Sequence, residues 1–152
     1  MTRKNIYQKK WRTKEAPGTY IHRDLYQSKA YIALKGVAPQ LLTLMMGKRR
    51  FENVGGKKVC VNVDYIPFTY IEAKKEYGIT QPRLTRGIDE LLAKGFITVK
   101  HQGGAYKQDK TIYGFSENWR WWHPGTVLEK RPKDICQRGF RKPRKNLALK
   151  VA

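Results

Sequence analysis

An α+β fold is what this sequence predicts, on three observations. From Thr69 to Gly78, and again from Thr80 to Gly95, apolar residues recur at helical spacing between a capping residue and a glycine. From Phe96 to His101 and from Thr111 to Phe115 the period changes to two, with a glycine-containing stretch between. The chain has 152 residues, enough for one compact domain with tails and not for two. Two helices joined by a tight turn and followed by a hairpin compose a winged helix-turn-helix. The expected organisation is a flexible basic arm over 1–19, the winged domain over 20–125 and a basic tail over 126–152.

The elements follow in order. Ala16-Pro17-Gly18 is a breaker cluster that closes the first arm. Tyr20-Ile21-His22-Arg23 reads as a short extended piece. Ser28 is placed to cap a short helix from Lys29 to Leu34, closed by Gly36. Val37 to Gly47 is a second helical run, apolar over more than one face, which suits a core helix better than a Met-rich groove. Residues 47–58 read as a loop with a turn at Gly55-Gly56, and Val59 to Val63 as a strand with Cys60 a small buried hydrophobe. Thr69 and Glu72 have capping-box spacing and open a helix that places Tyr70, Ala73 and Tyr77 on one face. Thr80 is a second N-cap candidate, with Pro82 in the first turn. The helix after it has Leu84, Ile88, Leu91 and Leu92 as one buried stripe. Gly95 is a suitable C′ residue. Trp119, Trp121 and Trp122 follow the last strand; they read as anchors closing the core, with stacking on unpaired bases as the alternative.

Charge favours one partner class. Lys and Arg total 32 against 12 Asp and Glu, a formal net charge of +20. Residues 1–19 carry +5, 20–63 carry +6, 64–101 and 102–125 carry +1 each, and 126–152 carry +7. A near-neutral module with basic ends neutralises phosphates and releases counterions, which favours nucleic acid. Solubilising arms or arms for acidic lipid or protein are the plainer reading. No stretch approaches the roughly 18 apolar residues of a membrane span; the richest, Ala38 to Met46, is followed closely by Lys48, Arg49 and Arg50. Met1 to Lys14 has no apolar segment and does not read as a signal peptide. Cys60 and Cys136 lie far apart without metal spacing, which suits a reducing cytoplasm, at the nucleoid if DNA is the partner.

The helix after Thr80 carries the functional reading. At about 100° per residue, with Leu84 at zero, the buried stripe centres at about 25°, Arg86 falls at about 200° and Arg83 at about 260°. The N-terminal half therefore offers Thr80, Gln81, Arg83, Thr85 and Arg86, types that read base edges or hold phosphates in a major groove. Asp89 and Glu90 further along would repel phosphates. The plainer reading of this helix alone is an ordinary solvated face. The loop from Gln102 to Lys110 supplies Tyr106, Lys107 and Lys110 as wing contacts, or is a plain hairpin turn. Lys9, Lys10 and Arg12 of the first arm, and Arg138, Arg141, Lys142, Arg144 and Lys145 of the tail, are candidates to follow phosphates.

The stretch Phe68 to Ala73, Tyr77-Gly-Ile-Thr, Arg86 to Ile97 and Tyr113-Gly-Phe-Ser with Trp119 resembles a group of bacterial and phage winged-helix proteins. Members of that group are replication-initiator-like proteins or helix-turn-helix regulators, and the likeness runs roughly from Leu25 to Trp122. It implies that the helix from Thr80 to Lys94 is the reader and the Gly103-Gly104 hairpin the wing. Pro82 and the long basic ends lie outside the pattern.

Catalytic signatures are thin. Gly55-Gly56-Lys57-Lys58 lacks P-loop spacing and its Ser or Thr. His22, His101 and His123 stand singly, without metal-site spacing. The expected protein is non-enzymatic, takes no cofactor or metal, and binds double-stranded DNA at an origin or operator; a homodimer is compatible. An RNA-binding accessory protein and a protein-interaction winged helix are the competing readings.

Overall fold

The computed structural model describes residues 18–105 and 108–133. It is an α+β structure of short helices and two small antiparallel sheets, an arrangement compatible with a winged helix. The order is α1 (Arg23–Tyr26), α2 (Lys29–Ile32), α3 (Ala38–Gly47), β1 (Phe51–Val54), β2 (Lys57–Cys60) and β3 (Ile66–Pro67). Then come α4 (Tyr70–Tyr77), α5 (Gln81–Ala93), β4 (Ile97–His101), β5 (Ile112–Phe115) and a 3₁₀ turn at Asn118–Trp121.

The core forms where the apolar stripes meet. α3 buries Ala38, Leu41, Leu42, Met45 and Met46, and packs across α5, which buries Leu84, Ile88, Leu91 and Leu92. Ile66 of β3, Phe96, Ile97 of β4 and Tyr113 of β5 cover the other side. The tryptophans divide: Trp119 stacks on Phe96 at 5.9 Å and Trp122 is buried, whereas Trp121 is 74% exposed. Two of the three anchors expected from the sequence thus close the core. Trp121 does not, because the tight turn points successive side chains in different directions. Lys94 is buried as well; it pairs with Glu90 and lies 5.4 Å over the Trp122 ring, so its charge is not left alone.

The three-stranded sheet has the order β3-β5-β4, with Ile66 opposite Tyr113 and Ile97 opposite Phe115. The two-residue strand β3 had no readable signal, because Ile66-Pro67 is too short to show a period. Its pairing is imposed by β5.

Elsewhere the structure corrects the sequence reading. The piece from Tyr20 to Arg23 is not extended throughout: Arg23 opens a helical turn, and Asp24 in it pairs with Arg120 at 2.8 Å. Residues 47–58 are not simply a loop. Phe51–Val54 is a strand paired with Lys57–Cys60 across Gly55-Gly56, whose φ values of 57° and 78° suit a two-residue hairpin turn. The following strand does not extend to Val63, because Asn62 folds the chain back. Its Oδ1 accepts from the Arg50 N–H at 2.7 Å and its Nδ2 donates to the Lys48 carbonyl at 2.9 Å. Cys60 is half-buried, since its strand covers no core. On α4 only Ala73 is buried; Tyr70 and Tyr77 stay 36% and 37% exposed, although Phe68 stacks on the Tyr77 ring at 6.3 Å.

Candidate nucleic-acid interface

The turn between α4 and α5 sets the aim of α5. The Thr69 hydroxyl accepts from the Glu72 N–H at 3.2 Å, which starts α4, and Gly78 ends it at φ 64°. Ile79 then drops into the core, with its N–H donating to the Ala73 carbonyl at 2.9 Å. Thr80 occupies the N-cap position, but its side chain makes no capping bond, and the first turn contains Pro82.

With the leucine stripe against α3 and the sheet, Gln81, Arg83 and Arg86 are exposed, as is Thr80, while Thr85 is half-buried. The Arg86 Nε donates to the Pro82 carbonyl one turn back at 3.2 Å, which lays its guanidinium along the helix N-terminal half. Among the described residues, neither Arg83 nor Arg86 has a carboxylate partner. Among the described residues, the Gln81 and Arg83 backbone N–H groups at the start of this helix have no acceptor, and their partial positive charge suits an anion.

The two acids expected to repel phosphates are neutralised within the fold. Glu90 pairs with Lys94, and Asp89 Oδ1 lies 3.1 Å from Arg131 Nε. Arg131 belongs to a strap formed by the chain after the 3₁₀ turn. The Leu128 N–H donates to the Ala93 carbonyl at 2.9 Å, and Glu129 Oε1 accepts from the Val99 N–H at 3.3 Å. Further on, Gln102 donates to the Lys133 carbonyl. Residues 128–133 therefore run from the end of α5 along the outer edge of β4 to the root of the loop between β4 and β5, the expected wing. The charge of this segment is readable from its residues but its path is not, because the path depends on side chains far away in sequence.

The wing itself is organised by Asp109, which the sequence reading missed. Its Oδ2 accepts from the N–H groups of Gly104 and Ala105, both at 3.1 Å, and its Oδ1 lies 2.7 Å from His101 Nε2. The hydrogen bond from His101, with help from those two backbone donors, holds the Asp109 carboxyl below the usual carboxylate range. A carboxylate in a glycine-rich loop was the available signal, since Asp commonly bonds backbone N–H groups in turns. Gly103 lets the two sides of the wing close: a Cβ there would lie 2.4 Å from the backbone of Lys110 and Thr111. Lys110 is exposed at this root. Tyr106 and Lys107 lie outside the described residues, as do Lys9, Lys10 and Arg12 of the first arm and Arg138, Arg141, Lys142, Arg144 and Lys145 of the tail.

Beside the wing is an open groove of about 470 Å³, lined by Asp64, Tyr65, Lys100, His101 and Lys110 among others. Lys100 Nζ and Asp64 Oδ1 pair across it at 3.1 Å. Among the described residues, no three His, Cys, Asp or Glu side chains come together as a metal-binding set, and no helix is long and apolar enough to cross a membrane. Comparison with protein-family models, curated proteins and solved structures finds no match to this chain.

Proposed function

We propose that this protein is a winged helix-turn-helix that binds double-stranded DNA, as a replication-initiator-like or transcription-regulatory protein of a phage or plasmid. α5 is the reading helix and the loop between β4 and β5 the wing. The order α3-β3-α4-α5-β4-β5, with β5 central in its sheet, supports the fold. The observation that carries the function is the exposure of Arg83 and Arg86 on the N-terminal half of a helix whose opposite side is core. An α-helix so held fits a major groove, where arginines read guanine edges. Gln81 and Thr85 stand beside them, and Lys110 and the basic ends hold phosphates.

The test starts from genomic fragments selected by the protein and compares a selected duplex with a random one. Arg83→Ala and Arg86→Ala should each cost about 1–3 kcal/mol on the selected duplex and much less on the random one. Equal losses on both would show that the helix does not read sequence. An RNA reading is favoured by one observation, the exposed Trp121, which stands free to stack on an unpaired base. Structured RNA outcompeting the selected duplex at physiological salt would put that reading first.

A further inference from the structure

The hairpin β1–β2 is an addition that the core does not need. Among the described residues it pairs with no other strand, and its residues are exposed apart from the half-buried Cys60. A two-stranded ribbon alone is marginal in water, so this one adds little to stability. Its side chains are informative instead. Arg49, Arg50, Lys57 and Lys58 stand against one acid, Glu52. Among the described residues, Arg50, Lys57 and Lys58 enter no ion pair. The tip, Gly55-Gly56, carries no side chains, so backbone there can approach a ligand closely.

The position of the ribbon matters as much as its charge. Its return strand leads through Asn62 to Val63, whose carbonyl accepts from the Phe115 N–H at 2.9 Å, and then directly into β3. Asp64 and Tyr65, at its root, line one groove together with His101, Lys110 and Ile112 of the wing root. The ribbon thus joins the sheet at the Phe115 end of β5 and the wing leaves it at the Ile112 end, with residues at both roots lining one groove.

We infer that the β1–β2 ribbon is a second nucleic-acid arm, which grips the phosphate backbone through Arg50, Lys57 and Lys58; this rests on the DNA-binding reading above. A two-stranded ribbon has the width of a major groove, and its excess of positive charge complements a polyanion. The same charge opposes pairing with a second copy of this chain. Val54 and Val59, exposed on one face, are residues that favour a strand and pack diagonally across it, so they do not require a protein partner.

The experiment measures binding of the full chain to a random-sequence 30-base-pair duplex and to a selected duplex over a range of KCl. The variants are Lys57→Ala/Lys58→Ala, Lys57→Glu/Lys58→Glu and, in parallel, Arg83→Ala/Arg86→Ala. If both lysines touch phosphates, the alanine pair should lower the salt slope by about 1.8 and weaken binding roughly tenfold at 0.1 M salt, equally on both duplexes. The glutamate pair should weaken it further. Urea midpoints should stay at the wild-type value, because these side chains cover no core. An unchanged slope and affinity, with the arginine pair still weakening the selected duplex, overturns the inference alone and turns attention to a protein partner for the valines. A wild-type chain that binds no duplex at any salt overturns both readings.

Discussion

Single residues show how tightly α5 is placed. A Cβ on Gly87 would lie 2.4 Å from Leu41 Cδ1 and 2.9 Å from Val37 Cγ1, so α5 reaches α3 closely because this position has no side chain. Tyr113 offers a measurable consequence of burial. Burial pushes its phenol up to about 12; nearby Arg131 works against that rise and Asp89 adds to it. The unfolded phenol ionises at about 10, so the native state is unaffected below that pH and loses stability as pH rises from there through the folded value. The loss reaches at most about 2–3 kcal/mol. Urea midpoints between pH 8 and 12 should fall more steeply for the wild type than for Tyr113→Phe. Parallel curves would show that the phenol is not sheltered. The capping and stripe residues of both helices were legible from spacing alone, whereas the role of Asp109 was not, because its partners are defined only once the wing closes.

At the scale of elements, the strap after the 3₁₀ turn decides how α5 presents itself. Asp89 follows Arg86 by three residues, on the same side of the helix, where an unpaired carboxylate would repel a phosphate. Arg131 cancels it at 3.1 Å. Arg131→Ala should therefore weaken binding to any duplex about threefold at low salt, with the effect fading as salt screens the charge. Asp89→Asn in the same chain should restore most of the loss. If the double variant binds as weakly as Arg131→Ala, the arginine acts by its own phosphate contact and not by shielding. The strap also occupies the outer edge of β4, where the Glu129 carboxylate meets the Val99 N–H, so that edge is not open to another strand. The β1 strand escaped detection for a related reason: Phe-Glu-Asn-Val has too little alternation to announce itself, and the glycine turn aligns it with β2.

For the whole molecule, the distribution of charge is the leading quantity. The core between β3 and the 3₁₀ turn is nearly neutral in sequence, while most of the net positive charge lies before and after it. The strap brings the chain to the root of the wing at Lys133, and residues 134–152 carry six further basic side chains. A chain ending at Lys133 should bind all duplexes more weakly with a flatter salt slope, each lost phosphate contact contributing about 0.9. Discrimination between selected and random duplexes should be kept. An unaltered slope would place the tail outside the interface.

By itself, the sequence determined the positions of α3, α4 and α5, the stripe that α5 buries and the arginine-bearing side that it leaves outward. These follow from local periodicity and capping, which act within a few residues. The tertiary structure alone decided that Asp89 is shielded, that Asp109 ties the wing, that Trp121 faces solvent and that a second hairpin leads into the sheet that carries the first. Each of those depends on groups brought together from distant parts of the chain, where neither spacing nor composition leaves a trace.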